Sequence, residues 1–123
     1  MVTFSDEEFD EVVEWAIKQI PERFLSQLDN VIFAVEDEPS AEEIAAGYCD
    51  MLGVYDGIPL TERTGSYGAV DDYPDCITIF KGPHERLEGT RKDIKEEVRK
   101  TVVHEVGHYF GMTEEQIDAM GYH

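Results

Sequence analysis

The sequence predicts an α+β fold in which a small sheet packs on an N-terminal helix and on a long helix near the C-terminus. Three observations support it: a capped amphipathic segment after Ser5, three short runs of β-branched and aromatic residues, and an uninterrupted helical stretch from Arg91 to Val106. The chain has 123 residues, 41% of them hydrophobic, which suits one core. We therefore expect a single domain over residues 1–123.

The first helix is predicted from its N-terminal cap. Ser5 is a favoured capping residue, and Glu8 stands three residues later, where it completes a capping box. Phe4 and Phe9 flank the cap with the spacing of a hydrophobic staple. Apolar residues then recur with helical spacing until Pro21, which ends the helix and suits the first position of a short second helical segment.

Three apolar runs have the length and composition of β-strands. They cover Val31 to Val35, Met51 to Tyr55 and Cys76 to Phe80. Gly82-Pro83 closes the third run as a turn signal. The segment from Asp56 to Asp75 is rich in Gly, Asp, Pro and Thr, and a loop of this length is usually functional or mobile. We hypothesise that it gates a site.

Charge excludes several classes of partner. The chain carries 28 acidic residues against 10 lysines and arginines, a net charge of −18, which repels phosphate backbones and anionic lipid surfaces. We expect no nucleic-acid and no membrane partner. The acidic N-terminus does not resemble a signal peptide, so we expect a cytoplasmic protein with Cys49 and Cys76 reduced. The bases between Lys81 and Lys100 form either a solvated helix face or a docking patch.

The long helix carries the candidate metal-binding and catalytic residues. Thr90 and Asp93 have capping-box spacing at its start, and Gly111 is placed to end it. His104 and His108 lie four residues apart, which puts them about 40° apart on the same side of a helix. Both imidazoles can therefore bind one metal ion, and Zn²⁺ commonly takes such ligands.

Glu105 and a third ligand complete the predicted site. Glu105 lies too far round the helix to join the same ligand set, but it can act as general base towards a water that the metal activates. A turn at Gly111 would bring Glu114 towards the metal as third ligand. Alternatively, Glu114 only occupies the first turn of a helix capped by Thr113. The substitute ligands would then be Asp118, His123 and His84, of which His84 is expected in a loop.

These residues resemble the zincin metallopeptidases, in particular small bacterial proteins that consist of one minimal zincin domain. That family's pattern is HExxHxxGxx followed by Asp, and Glu stands here at the final position. The matching residues are His104, Glu105, His108, Gly111 and Glu114. The resemblance extends upstream to the third strand and the start of the long helix. It implies a mixed sheet packed on the active-site helix, with an edge strand beside the zinc that holds an extended peptide.

The resemblance has two departures. Glu114 is one methylene longer than the expected Asp, so its backbone must sit farther from the metal. Few residues follow Gly111, so we expect no second lobe below the cleft, and we hypothesise that Tyr122 packs beside the metal instead. Stabilisers of a reaction oxyanion are suggested by residue type alone, at Tyr67, Tyr73 and His84.

Three functions follow from these residues. The first is a zinc-dependent metallopeptidase that acts on a peptide or protein substrate, with His104, His108 and Glu114 as zinc ligands and Glu105 as general base. The second is a catalytically weak or inactive zincin-fold module for binding or dimerisation. The third is a hydrolase of another substrate class. An exposed edge strand favours a homodimer and the net charge favours a monomer, so both states stay open.

Overall fold

The computed structural model describes residues 2–57 and 74–119. Six helices and three strands lie in this part of the chain, and we number them in chain order. The elements are α1 (Asp6–Lys18), α2 (Glu22–Leu25), β1 (Val31–Glu36), α3 (Ala41–Ala45), β2 (Gly53–Asp56), β3 (Asp75–Phe80), α4 (Lys81–Glu85), α5 (Arg91–Tyr109) and α6 (Glu114–Ala119). None of the described helices combines the length and the apolar character needed to cross a bilayer.

The three strands form one mixed sheet, which confirms the predicted α+β class. The strand order is β1-β3-β2, with β1 parallel and β2 antiparallel to β3. The central strand contributes two fully buried side chains, Ile77 and Ile79. Among the described strands, β2 is the edge that contacts α5, so it is the strand that borders the predicted site.

The helices pack through the faces that the periodicity predicts. Phe9 and Val13 of α1 are buried with Ile94, Val98 and Val102 of α5 in one apolar cluster. The capping boxes predicted for α1 and α5 form with both of their hydrogen bonds. A third box caps α3. The apolar stripe of α1 packs on α5, and α5 packs on the sheet, so α5 lies at the centre of the core.

The prediction that Gly82-Pro83 closes β3 as a turn is wrong. The chain passes directly from β3 into α4, and both residues belong to that helix. The Gly82 amide donates a 2.7 Å hydrogen bond to the Asp37 carbonyl, and a Cβ at Gly82 would lie 1.7 Å from Oε2 of Glu38. Glycine is therefore required by close approach of the β1–α3 connection, and proline is tolerated because it lies in the first helical turn.

His84 does not lie in a loop, contrary to the sequence prediction. It is fully buried in α4, where Nδ1 lies 2.7 Å from the Phe80 carbonyl oxygen and Nε2 lies 2.9 Å from Oγ1 of Thr101 on α5. Because a carbonyl oxygen only accepts hydrogen bonds, Nδ1 is the donor in the first contact. Nε2 joins α4 to α5 and Nδ1 bonds the end of β3, so both ring nitrogens are engaged and His84 is available neither as a metal ligand nor as an oxyanion stabiliser.

Acidification is expected to destabilise the fold through His84. Burial lowers the pKa of this imidazole, although its hydrogen bond to Phe80 opposes the effect. The unfolded chain therefore binds this proton more readily, and stability is lost as pH falls below about 6.5, by at most about 1.4 kcal/mol per pH unit. Denaturant titrations of the wild type and of His84→Asn, which keeps a donor for Phe80, should show a stability gap that narrows between pH 7.5 and 5.5. A constant gap would refute this assignment.

The bases between Lys81 and Lys100 pair largely within the chain. Lys81 bonds Asp6 of α1 at 2.9 Å, and Arg86 pairs with Glu38 and Asp50. Arg91 pairs with Glu8 and lies over the Phe4 ring, and Lys95 lies over the Trp15 ring. These cations fasten α4 and α5 to their neighbours within the chain.

Candidate metal centre

The uninterrupted helix α5 holds the two predicted histidines side by side. The ring centroids of His104 and His108 lie 4.9 Å apart, and both side chains are about a quarter exposed. Apolar residues of the same helix are buried against α1 and the sheet, so the helix cannot rotate without exposing its core face. The two imidazoles are thereby presented towards solvent at fixed spacing.

Gly111 ends α5 and turns the chain back, as predicted. Its φ is 81°, a conformation that strains residues with a Cβ. The amides of Gly111 and Met112 donate to the carbonyls of His108 and Gly107 at 2.9 and 3.0 Å, which is the pattern of a Schellman motif. Thr113 then caps α6, whose first residue is Glu114.

This turn brings Glu114 to both histidines. Its Oε1 lies 3.3 Å from Nε2 of His104 and 2.9 Å from Nε2 of His108, and one ligand atom from each of the three residues falls within 4.8 Å of the others. Ligands that bind one tetrahedral Zn²⁺ at about 2.05 Å lie about 3.3 Å apart. The donor types and the spacing of the three side chains therefore fit a zinc ion.

The local electrostatics keep Glu114 in its anionic, ligand-competent form. Desolvation alone would raise its pKa, but the hydrogen bonds and charges of His104 and His108 outweigh that effect and lower it. Among the predicted substitute ligands, Asp118 is described and lies outside this cluster. His123, like the site-supporting candidate Tyr122, falls outside the described residues. The structure thus brings Glu114, and not Asp118, to the histidines.

Glu105 lies beside this cluster but points into a more enclosed environment. Only 8% of its surface is exposed, and a backbone hydrogen bond from Tyr55 on β2 reaches its carboxylate. Burial raises the pKa of Glu105, and the nearby charges of His104 and His108 offset this only in part. A carboxylate whose pKa is raised is a stronger proton acceptor than an ordinary exposed one.

Gly53 is a functional position that sequence reasoning missed. A Cβ built there would lie 2.7 Å from Cγ2 of Thr101 and 3.4 Å from Cγ of Glu105. Only glycine therefore lets β2 approach α5 closely enough for Tyr55 to reach Glu105. The available signal was a glycine at the start of a predicted strand, a common sign of close backbone approach.

An open cleft of about 880 Å³ runs along β2 past the three-residue cluster. Tyr48, Met51 and Met112 form its apolar side. Tyr55 is partly buried, and its hydroxyl donates to Asp75 at 2.6 Å. Two of the suggested oxyanion stabilisers, Tyr67 and Tyr73, and most of the predicted gating loop lie outside the described residues.

Comparisons with known proteins bear on the fold and the family of the chain. A conserved hypothetical protein from Thermus thermophilus has a similar structure, with a TM-score of 0.60 and 26% sequence identity over 87% of this chain and 94% of that chain. A comparison with curated proteins finds no match. The family model of the zincin-like metallopeptidases matches residues 28–122. Because that match covers most of the chain and includes the whole histidine cluster, the chain belongs to the zincin-like metallopeptidase family.

Proposed function

We propose that this chain is a zinc-dependent metallopeptidase that hydrolyses peptide bonds. The observation that carries the proposal is the convergence of His104, His108 and Glu114 beside the buried carboxylate of Glu105. Three protein ligands of these types, with a fourth position left open, are typical of catalytic zinc sites. The HExxH spacing alone supplies two ligands and a base; Glu114 supplies the third ligand.

Glu105 serves as the general base in this mechanism. A zinc ion held by the three ligands would polarise the substrate carbonyl and lower the pKa of a water to about 7. Glu105 takes a proton from the attacking water and delivers it to the nitrogen of the departing amine, as the C–O bond forms and the C–N bond breaks. Its raised pKa suits it to both transfers.

The edge strand supports a peptide as the substrate. The Phe80 amide donates to the Leu52 carbonyl, so the alternation of an antiparallel pair turns the backbone groups of Gly53 and Tyr55 away from β3 and towards the cleft. An extended peptide that added to β2 would bond the backbone groups of Gly53, and its backbone would then pass Glu105, to which the Tyr55 amide donates. Substrate binding by strand addition is therefore part of the proposal.

Cleavage of a peptide library by the zinc-loaded chain tests this function. We expect products detectable by mass spectrometry that disappear after chelation and return when zinc is restored. His104→Ala, purified in the same way, controls for a contaminating protease. Hydrolysis that survives complete metal removal would contradict the proposal, whereas stoichiometric zinc binding without any cleavage would favour the binding module.

A further inference from the structure

The cleft is divided into two unequal parts where β2 meets α5. A second cavity, of about 240 Å³, adjoins the 880 Å³ cleft, and the two share Gly53, His104 and Glu105 as lining residues. The contact between Gly53 and Glu105 therefore separates a large space from a small one. A peptide that follows β2 would place neighbouring side chains on opposite sides of this contact.

The larger space has an apolar wall that the catalytic chemistry does not require. Tyr48 is 58% exposed, one of the few large hydrophobic side chains of the described chain that face solvent to this degree. Met51 and Met112 line the same space. Thioether side chains adapt to varied apolar shapes, and an exposed aromatic at the rim of a cleft is typical of a ligand contact.

The smaller space is confined, and an ion pair forms part of its wall. Lys100 and Glu97 line it as an ion pair, with 3.6 Å between Nζ and Oε1. Thr101 and Leu52 complete its wall. A bulky apolar side chain placed there would displace the water around a partly exposed ion pair, which opposes its binding.

We infer that the substrate is an extended peptide with a bulky apolar residue, of leucine or phenylalanine size, on the Tyr48 side of the scissile bond. Tyr48 is the specificity-determining residue in this inference, which rests on the proposed peptidase function. The subsite is continuous with the metal centre, because the same cleft is lined by Tyr48, His108 and Glu114. Its occupant is thus a side chain of the peptide bound along β2.

Two pairs of peptides test this inference on the zinc-loaded chain. The first pair has either Leu or Ala directly before the scissile bond, and the second pair has either Leu or Ala directly after it. At one of the two positions we expect kcat/KM to favour Leu by about tenfold. In Tyr48→Ala the ratio should fall close to one, whereas Ile44→Ala, a similarly exposed apolar residue that does not line the cleft, should keep it. A ratio unchanged in Tyr48→Ala would overturn the inference.

A binding measurement separates failure of this inference from failure of the peptidase proposal. Calorimetry with two peptide hydroxamates, one carrying Leu and one carrying Gly beside the zinc-binding group, reports the subsite without turnover. Tighter binding of the Leu compound, lost in Tyr48→Ala, would uphold the subsite even if no peptide were cleaved. Equal binding of both compounds, or binding of neither, would overturn the subsite even if peptides were cleaved.

Discussion

Glu105→Gln is expected to reduce peptide cleavage by about 10²- to 10⁴-fold, the range that a general base contributes. The amide has nearly the same shape as the carboxylate, and its oxygen can still accept the hydrogen bond from the Tyr55 backbone. It cannot take a proton from water. The variant should therefore bind about as much zinc as the wild type while losing turnover, measured as kcat on one cleaved peptide.

The same substitution is expected to leave the metal-free chain at least as stable as the wild type. Burial raises the pKa of Glu105, so its ionised form destabilises the folded chain at neutral pH, and glutamine removes that cost. Glu96→Gln, at a partly exposed position of the same helix where Glu96 pairs with Arg99, is the matched control and should keep full activity. Cleavage by Glu105→Gln within a few-fold of the wild type would disprove the general-base role.

His108→Ala is expected to abolish stoichiometric zinc binding and the stability that zinc confers. A ligand that binds only the folded state raises the free energy of unfolding by about 4 kcal/mol when its concentration is about 1,000 times its Kd. Adding zinc should therefore shift the denaturation midpoint of the wild type strongly upwards and leave that of His108→Ala unchanged. Elemental analysis together with denaturant titration with and without zinc measures both effects.

Two acidic residues of α6 allow the third ligand to be tested directly. Glu114→Ala keeps both histidines and should bind zinc more weakly, with a smaller zinc-dependent stabilisation than the wild type. Asp118→Ala, one turn further along the same helix and outside the three-residue cluster, should behave like the wild type. Loss of zinc in Asp118→Ala with retention in Glu114→Ala would show that the ligand has been assigned to the wrong acid.

The features predicted correctly from the sequence are those that depend only on residues a few positions apart in the chain. A capping box joins positions three apart, so Ser5 and Thr90 could be assigned without knowing the rest of the fold. The spacing of His104 and His108 is a property of the helix itself. The turn at Gly111 likewise depends on hydrogen bonds to the preceding helical turn.

The features that sequence reasoning missed depend on segments far apart in the chain. His84 is predicted to lie in a loop, yet it is buried in α4 and bonds Thr101 of α5, and this packing of one helix on the other could not be read from the local sequence. Gly53 has no local requirement for glycine, and its importance arises from the approach of β2 to α5. Nothing in the three predicted strands distinguished the edge strand, because pairing with β3 joins residues that are distant in the sequence.

Sequence alone thus predicted the α+β class, the capping boxes of α1 and α5, and the placement of His104 and His108 on one side of a helix. Local hydrogen bonding and helical periodicity suffice for these. Tertiary structure decided that β2 borders the site, that Glu105 is buried against it, and that Tyr48 stands over the larger part of the cleft. These properties are set by which distant surfaces pack together, and the burial that changes the pKa of a carboxylate exists only once that packing has formed.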